Sequence, residues 1–219
     1  TLFWGPRVLK LVPSISTLDG GGQERDDLHY VGHLSGQLEA PTATGFELER
    51  DKRYVFAYLG TGSVSLGAAE RVLPAVFPAD GERRCVVASS AVEPYRLGGV
   101  EFRRFVPAAE VLPVADWVLC HGGLNTVIES LRAGVPLLLF PGAIFERRFN
   151  ATAVAGAGAG VMAETTAFTP AKLRAAMERH DELAAGARRL GAEIEARGGA
   201  VEAVRLMAAQ FEPVPVATG

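Results

Sequence analysis

The sequence lacks a basic cluster, a long apolar run and a secretory signal. Its net charge is −3, and its lysines and arginines are scattered singly or in pairs, which gives no electrostatic basis for binding nucleic acid or an anionic membrane. No uninterrupted apolar run reaches the ~20 residues that cross a bilayer, and nothing resembles a signal peptide. We therefore expect a cytoplasmic protein with neither a membrane span nor a nucleic-acid partner.

Cysteine is scarce as well. The two cysteines, Cys85 and Cys120, lie in predicted buried strands far apart in the sequence, so we expect two reduced thiols in the core. Without a group of cysteines and histidines, the sequence offers no zinc site. The acidic pair Asp26-Asp27 belongs to a loop-rich segment away from the candidate site, and we expect no obligatory metal and no cofactor.

The first 50 residues are rich in Gly, Pro, Ser, Thr and Asp, a composition typical of a connecting segment. We predict an interdomain linker over 1–50, one compact domain over 51–212 and a tail over 213–219. The chain begins at Thr1 with an extended segment that has no obvious hairpin partner, which indicates a fragment or a processed chain.

Short apolar runs alternate with helical patterns from residue 54 onward. Continuously apolar strands of this kind are typical of a parallel sheet that helices cover on both faces. The sequence therefore predicts an α/β fold with a Rossmann-like parallel sheet. The predicted strands are 54–60, 84–89, 100–106, 116–120, 135–140 and 160–164, and the predicted helices are 66–77, 108–114, 125–133, one capped by Thr169 with Pro170 at its first position, and 182–210 with a break at Gly198-Gly199.

Ligands of an open parallel sheet bind beyond the carboxyl ends of its strands. Four predicted strand ends carry polar or glycine-rich loops, at 60–63, 105–107, 121–123 and 141–151. In the first loop, the small residues let backbone amides approach a ligand, and hydroxyls such as that of Ser63 can donate hydrogen bonds. We expect the four loops to border one binding site.

The loop His121-Gly122-Gly123 is the richest of the four. Asn125 and Thr126 begin the helix after it, where free backbone N–H groups and the positive end of the helix dipole favour a phosphate. His121 can donate to phosphate oxygens, and Glu129 lies one turn further in, within reach of a sugar hydroxyl. Each feature by itself has an ordinary structural explanation. The glycines can simply form a turn, Asn125-Thr126 can simply cap the helix, and Glu129 can be a solvated surface carboxylate. Their combination at one sheet edge favours a binding site.

A dinucleotide site of the Rossmann type is the rival from general principles. It needs G-x-G-x-x-G after the first strand and an acidic residue ~20 positions further on. The sequence at 60–65 is GTGSVS, which lacks the third glycine. NAD and FAD are therefore disfavoured.

The stretch 105–151 resembles the nucleotide-sugar signature of family 1 glycosyltransferases, natural-product and macrolide enzymes with the two-domain GT-B fold. The spacing agrees from His121 through Pro141, and residues before 54 are similar to the family's passage between domains. The resemblance covers nearly the whole chain but only the C-terminal half of a family member. The matching residues are Val106-Pro107, His121, Gly123, Asn125-Thr126, Glu129, Gly134-Val135-Pro136, Pro141, Glu146 and Asn150.

The resemblance implies a role for each part of this signature. The base lies on Phe105 and pairs with the backbone of Val106, while Glu129 holds the ribose hydroxyls. Glu146 and Arg147 correspond to residues that hold the transferred sugar. Gly62 and Ser63 belong to a loop that corresponds to the family's first donor-domain loop, and we expect this loop to contact the donor. The diphosphate is expected to be held by His121, Gly123, Asn125 and Thr126.

Three departures from the family pattern affect these assignments. Ala108 replaces a polar residue that usually follows the proline, and Arg147 replaces a glutamine, which changes sugar recognition. One extra residue lies between Pro141 and Asn150. Either Glu146 or Phe145 therefore occupies the position of the family's acidic residue.

The resemblance also implies the reaction and its missing half. The expected activity is inverting transfer from a UDP- or dTDP-sugar to a hydroxyl of a small-molecule acceptor held by a separate N-terminal domain, which also supplies the catalytic base. His121 would stabilise the leaving diphosphate, and the chain alone would be inactive. Two alternatives stay open: a non-catalytic nucleotide-sugar-binding partner or regulatory module, and a GT-B sugar-nucleotide epimerase, which would need more catalytic acidic and basic residues than Glu129, Glu146 and Arg147-Arg148.

Overall fold

The structure is a computed structural model that describes residues 8–34, 48–49, 51–60 and 62–210. The chain divides into two compact units, one formed by 1–38 with 193–219 and the other by 39–192. The tail predicted at 213–219 and Thr61 of the first loop lie outside the described residues. The division into a linker at 1–50 and a domain at 51–212 stays a prediction.

The described elements agree closely with the predicted ones. No helix within these described ranges combines the length and the apolar character needed to cross a membrane. In chain order the strands are β1 (Lys10–Val12), β2 (Leu28–Tyr30), β3 (Arg53–Tyr58), β4 (Arg83–Ala88), β5 (Tyr95–Leu97), β6 (Val100–Arg103), β7 (Ala115–Cys120), β8 (Leu137–Leu139) and β9 (Gly160–Met162). The α-helices are α1 (Leu66–Val76), α2 (Ala108–Val111), α3 (Leu124–Arg132), α4 (Phe145–Gly156), α5 (Pro170–Met177), α6 (His180–Ala196) and α7 (Gly199–Ala209).

The larger unit contains a seven-stranded sheet in the order β5-β6-β4-β3-β7-β8-β9. All neighbours are parallel except β5, which runs antiparallel to β6 at one edge. Numbered along the chain, the six parallel strands have the order 3-2-1-4-5-6 of doubly wound Rossmann folds. The predicted α/β fold with a Rossmann-like parallel sheet is confirmed.

The strand order reverses between β3 and β7. The chain moves from β3 through α1 to β4 in one direction and from β7 through α3 to β8 in the other. Because parallel crossovers are right-handed, these opposite directions place α1 and α3 on opposite faces of the sheet. The core agrees, since Leu73 of α1 joins a cluster with Ala57 and Trp117, while the buried Val127 and Ile128 of α3 lie outside that cluster.

In the larger unit two elements differ from the sequence-based prediction. The edge strand β5 was not predicted, although Gly98-Gly99 between β5 and β6 is a hairpin signal and Gly98 has a φ of 60°. The segment 141–151 was predicted as a loop, whereas α4 begins within it at Phe145. Its start carries no capping signal, because Ile144 at the N-cap makes no side-chain hydrogen bond, and its exposed aromatic residues obscure the helical pattern.

The smaller unit contains structure where the sequence predicted only a linker. The extended segment with no hairpin partner pairs in parallel with β2, so Lys10 lies opposite Leu28. The Tyr30 hydroxyl donates to Asp19 at 2.5 Å. Thr17 donates to Glu193 at 2.9 Å, which joins the two sequence-distant parts of this unit.

Candidate functional site

A cavity of about 460 Å³ opens at the carboxyl ends of β3 and β7. This is the point where the strand order reverses, at which ligands of doubly wound sheets bind. Its walls include the turn after β7 and the first turns of α3 and α4. Five predicted site residues line it together: His121, Gly123, Asn125, Thr126 and Glu146.

The two ring nitrogens of His121 have different surroundings. Nδ1 is buried and has no hydrogen-bond partner among the described residues. The Leu59 carbonyl oxygen lies on this side of the ring, because a Cβ added at Gly62 would touch that oxygen and lie 3.5 Å from Nδ1. Nε2 lies beside Gly123, where an added Cβ would be 2.8 Å away. Nε2 is therefore the nitrogen that a ligand in the cavity can reach.

The charge state of His121 follows from these surroundings. Burial lowers the pKa of the imidazole below its usual value of 6.5, and the Arg147 guanidinium lowers this pKa further. The Glu146 carboxylate and the Leu59 carbonyl act in the opposite direction. In the absence of a bound anion the ring is therefore neutral at neutral pH and carries a single N–H.

Helix α3 starts at this cavity without a side-chain cap. Its N-cap is Gly123, whereas Ser65 and Thr169 accept hydrogen bonds from the first turns of α1 and α5 at 3.2 and 3.4 Å. The first N–H groups of α3 thus have no capping side chain among the described residues, and the positive end of the helix dipole adds to their attraction for an anion. The arrangement suits a phosphate group.

The first turn of α4 is held against the turn after β7. Gly122 has a φ of 86°, and a Cβ there would lie 2.9 Å from the Arg147 carbonyl oxygen. The buried Asn150 donates from Nδ2 to the Gly122 carbonyl at 2.9 Å and to Glu146 Oε1 at 3.3 Å. Asn150 therefore fixes the position of Glu146 in the cavity wall. Phe145, the alternative to Glu146, is 83% exposed and does not line the cavity.

The predicted loop residues Gly62 and Ser63 do not line the cavity. The Gly62 N–H donates to the Leu59 carbonyl at 2.7 Å, and the Ser63 hydroxyl donates to the Phe140 carbonyl. Both residues are thus engaged in shaping the loop beside His121.

The residues expected to hold the nucleoside also lie outside the lining, as does Arg147, whereas Glu146, its expected partner in holding the sugar, lies within it. Phe105 is 55% exposed, Val106 is buried, and Glu129 is half-buried on α3 with the pKa of its carboxyl raised by burial. Arg147 follows Glu146 in α4 and acts on the pKa of His121. The structure therefore joins the expected phosphate contacts into one cavity and leaves the expected base and ribose contacts outside it.

Sequence reasoning missed Tyr58, Ser90 and Leu124 in the lining, and Gly60 was considered only as part of its loop. The Tyr58 ring lies 6.0 Å from the His121 ring, and Gly60 lies between them, since a Cβ there would be 3.2 Å from both rings. A signal for Ser90 was present, because it follows β4 and strand ends predict ligand contacts in this fold. Tyr58 was missed because the predicted strand 54–60 includes it, whereas β3 ends at Tyr58.

Comparison with known proteins places the chain among glycosyltransferases. The family described as "Erythromycin biosynthesis protein CIII-like, C-terminal domain" matches residues 75–209. The NDP-glycosyltransferase YjiC of Bacillus subtilis (strain 168) is 34% identical over 110 residues, which are 43% of this chain and 28% of that protein.

Solved structures extend the similarity over nearly the whole chain. The kitacinnamycin glycotransferase matches 93% of this chain and 55% of its own, with a TM-score of 0.81 and 25% identity. The glycosyltransferase SsfS6 of Streptomyces sp. SF2575, complexed with thymidine diphosphate, matches 94% of this chain and 53% of its own, with a TM-score of 0.66 and 26% identity. The chain thus spans about half the length of the glycosyltransferases it matches, and its fold is that of the C-terminal half of a GT-B protein.

Proposed function

Because the chain belongs to the family of erythromycin biosynthesis protein CIII-like C-terminal domains, we propose that it is the donor-binding part of a glycosyltransferase. The ligand is a UDP- or dTDP-sugar, and the acceptor is a small molecule with a hydroxyl group, held by an N-terminal domain in the same polypeptide or in a separate chain. A cytoplasmic location is part of this proposal and agrees with the two free, buried thiols of Cys85 and Cys120.

The observation that carries the proposal is the cavity at the point where the strand order reverses. Its wall combines the uncapped start of α3 with the reachable Nε2 of His121, and both are suited to a diphosphate. Glu146 lines the same cavity and is the residue that we assign to the sugar. SsfS6, whose fold this chain shares, is complexed with thymidine diphosphate.

In the proposed reaction the acceptor hydroxyl displaces the nucleoside diphosphate from the sugar with inversion. Negative charge develops on the leaving diphosphate, where the N–H groups of Gly123, Asn125 and Thr126 and the His121 ring stabilise it. The base that deprotonates the acceptor belongs to the N-terminal domain. We assign Phe105, Val106 and Glu129 to the nucleoside, which reaches them from the cavity when the diphosphate is bound, and Glu146 with Arg147 to the sugar.

Calorimetry with UDP and dTDP, each with and without EDTA, tests the proposal. We expect both nucleotides to bind and EDTA to leave the affinity unchanged, because the phosphate contacts come from the protein itself. UDP should bind more tightly than dTDP, since the Glu129 carboxylate offers two acceptor oxygens and only a ribose has two hydroxyls to donate to them. The absence of heat with either nucleotide would exclude the donor-binding role, and binding that requires Mg²⁺ would exclude the metal-free site.

The chain alone should bind the donor but not transfer its sugar. Donor hydrolysis at a slow rate is compatible with this expectation, since water can replace the acceptor. Efficient glycosylation of a small hydrophobic acceptor by the purified chain would contradict the division of labour between two domains. Mass spectrometry of the products distinguishes these outcomes.

A further inference from the structure

The surroundings of the His121 ring favour the tautomer that is unsuited to an anion. On the Nδ1 side lies the Leu59 carbonyl, an acceptor that acts to raise the pKa of the ring, although Nδ1 makes no hydrogen bond of normal geometry to any described residue. A neutral imidazole has one N–H, and an acceptor beside Nδ1 favours the proton on that nitrogen. Nε2 then carries a lone pair toward the cavity. A phosphate oxygen placed there meets a lone pair instead of a donor.

We propose that a nucleoside diphosphate binds this cavity together with one proton from solvent, which His121 takes up at Nε2. The resulting imidazolium directs Nδ1–H toward the Leu59 carbonyl and donates Nε2–H to a phosphate oxygen. No covalent bond of the ligand changes in this step. The inference rests on the proposed function and deepens it, because it makes donor binding dependent on pH.

The charged and titratable groups around the ring support this coupling. Helix α4 places Glu146 and Arg147 near it with opposite effects on its pKa, and β3 places the Tyr58 phenol 6.0 Å away between ring centroids. The first turn of α3 contributes no acidic side chain, only its backbone dipole. Arg147 and this dipole oppose an imidazolium in the absence of ligand. A bound diphosphate reverses the balance, because its negative charge lies beside Nε2.

The direction of the pH dependence follows from the two states of the site. Without ligand the pKa of His121 lies below 6.5, and the negative charge of a bound diphosphate would raise it. Between these two pKa values the complex holds one proton more than the free components, so affinity falls about tenfold for each unit of rising pH. Below the free pKa and above the bound pKa, the affinity does not change with pH.

Calorimetry with UDP-glucose and dTDP-glucose in buffers of different ionisation enthalpy measures the proton directly. Sugar nucleotides are the appropriate probes, because a terminal phosphate such as that of UDP itself titrates near pH ~6 and would take part in the signal. At pH ~7.5 we expect a net uptake of protons on donor binding by the wild-type chain. His121→Gln, which keeps an N–H donor but cannot be protonated, should bind without uptake. His29→Gln should retain the uptake.

The outcomes separate the inference from the proposed function. Donor binding with no proton uptake and a flat pH profile would overturn the inference and leave the proposed function intact. Uptake that persists in His121→Gln would assign the proton to another group and overturn it as well. Failure of both donors to bind would remove the proposed function and the inference together. If His121→Gln does not fold, ¹⁵N NMR of the wild-type ring decides, because the inference requires both ring nitrogens to be protonated in the complex.

Discussion

A cavity opens at each end of the strands of the large sheet. The larger of these two cavities lies at the amino ends, away from the candidate site. The cavity at the amino ends of β3 and β4 measures about 630 Å³, against about 460 Å³ at the carboxyl ends. At the amino ends Arg53 and Arg83 both pair with Asp116, at 3.5 and 3.3 Å. The buried Trp117 Nε1 also lacks a hydrogen-bond partner among the described residues, and its ring lies 5.8 Å from that of His180, which lines this cavity. At the carboxyl edge His121 has a buried nitrogen without a partner among the described residues, and α3 begins without a side-chain cap.

The difference lies in the groups that could hold an anion, and these identify the proposed site better than volume does. Arginines that share a carboxylate need no ligand, whereas the uncapped start of α3 and Nε2 of His121 border the cavity in which an anion would bind. Four substitutions test this difference between the two cavities.

The largest effect is expected at Gly122. Its φ of 86° suits glycine, and a Cβ would lie 2.9 Å from the Arg147 carbonyl oxygen. Gly122→Ala should therefore lower the free energy of unfolding by ~2–4 kcal/mol and abolish nucleotide binding, because α4 has to move away from the turn. Urea unfolding and calorimetry measure the two effects.

Gly158→Ala is the matched control for this change. Gly158 has a φ of 70°, but no atom lies within 4 Å of an added Cβ. This variant should lose only the backbone contribution, ~1–2 kcal/mol, and should bind nucleotide normally. Equal losses in the two variants would show that the contact between α4 and the turn is unimportant.

The next effect concerns the imidazole. His121→Ala should weaken UDP binding by ~1.5–3 kcal/mol, the usual worth of a hydrogen bond to a charged group, which corresponds to about tenfold to a hundredfold in affinity. Uridine lacks the phosphates and should bind the variant as well as the wild type. Equal losses for UDP and uridine would mean that His121 shapes the loop and does not contact phosphate.

A smaller effect is expected at Asn150. Asn150→Ala removes the hydrogen bonds to the Gly122 carbonyl and to Glu146 and should cost ~1–2 kcal/mol of stability. Because Glu146 loses its support, affinity for a sugar nucleotide should fall more than affinity for UDP. The exposed Asn125 is the control: Asn125→Ala keeps the backbone N–H but removes an amide side chain from the cavity wall near the proposed diphosphate. It should leave stability unchanged and weaken both ligands equally. A reversal of this pattern would contradict the assigned roles.

The smallest effect is expected at Asp116, near the amino ends of the strands. Asp116→Asn leaves Arg53 and Arg83 without their shared carboxylate, and because both arginines are partly exposed the cost should be only ~0.5–1 kcal/mol of stability. UDP affinity should stay unchanged. A loss of UDP affinity in this variant would place the nucleotide in the cavity at the amino ends of the strands. It would contradict the assignment of the site to the carboxyl ends.

The sequence predicted the location of the candidate site, at the carboxyl ends of the parallel strands, better than it predicted the residues that line it. Continuous apolar runs predicted the parallel strands, and the His-Gly-Gly turn before α3 predicted a phosphate site, because both signals are local. The start of α4 was missed, since Ile144 gives no cap and Phe145 is exposed. Tyr58 enters the cavity through the spatial order of β3 and β7, which no local pattern encodes, whereas Ser90 follows β4 at a strand end that was not among the four loops considered.

A crystal structure of the chain with UDP is the most direct test of the proposed site. The account predicts a diphosphate at the start of α3, with its oxygens within hydrogen-bond distance of the N–H groups of Asn125 and Thr126 and of Nε2 of His121. Glu129 should then be within reach of the ribose. A nucleotide bound in the larger cavity beside Arg53 and Arg83, or a diphosphate that leaves the start of α3 untouched, would contradict it.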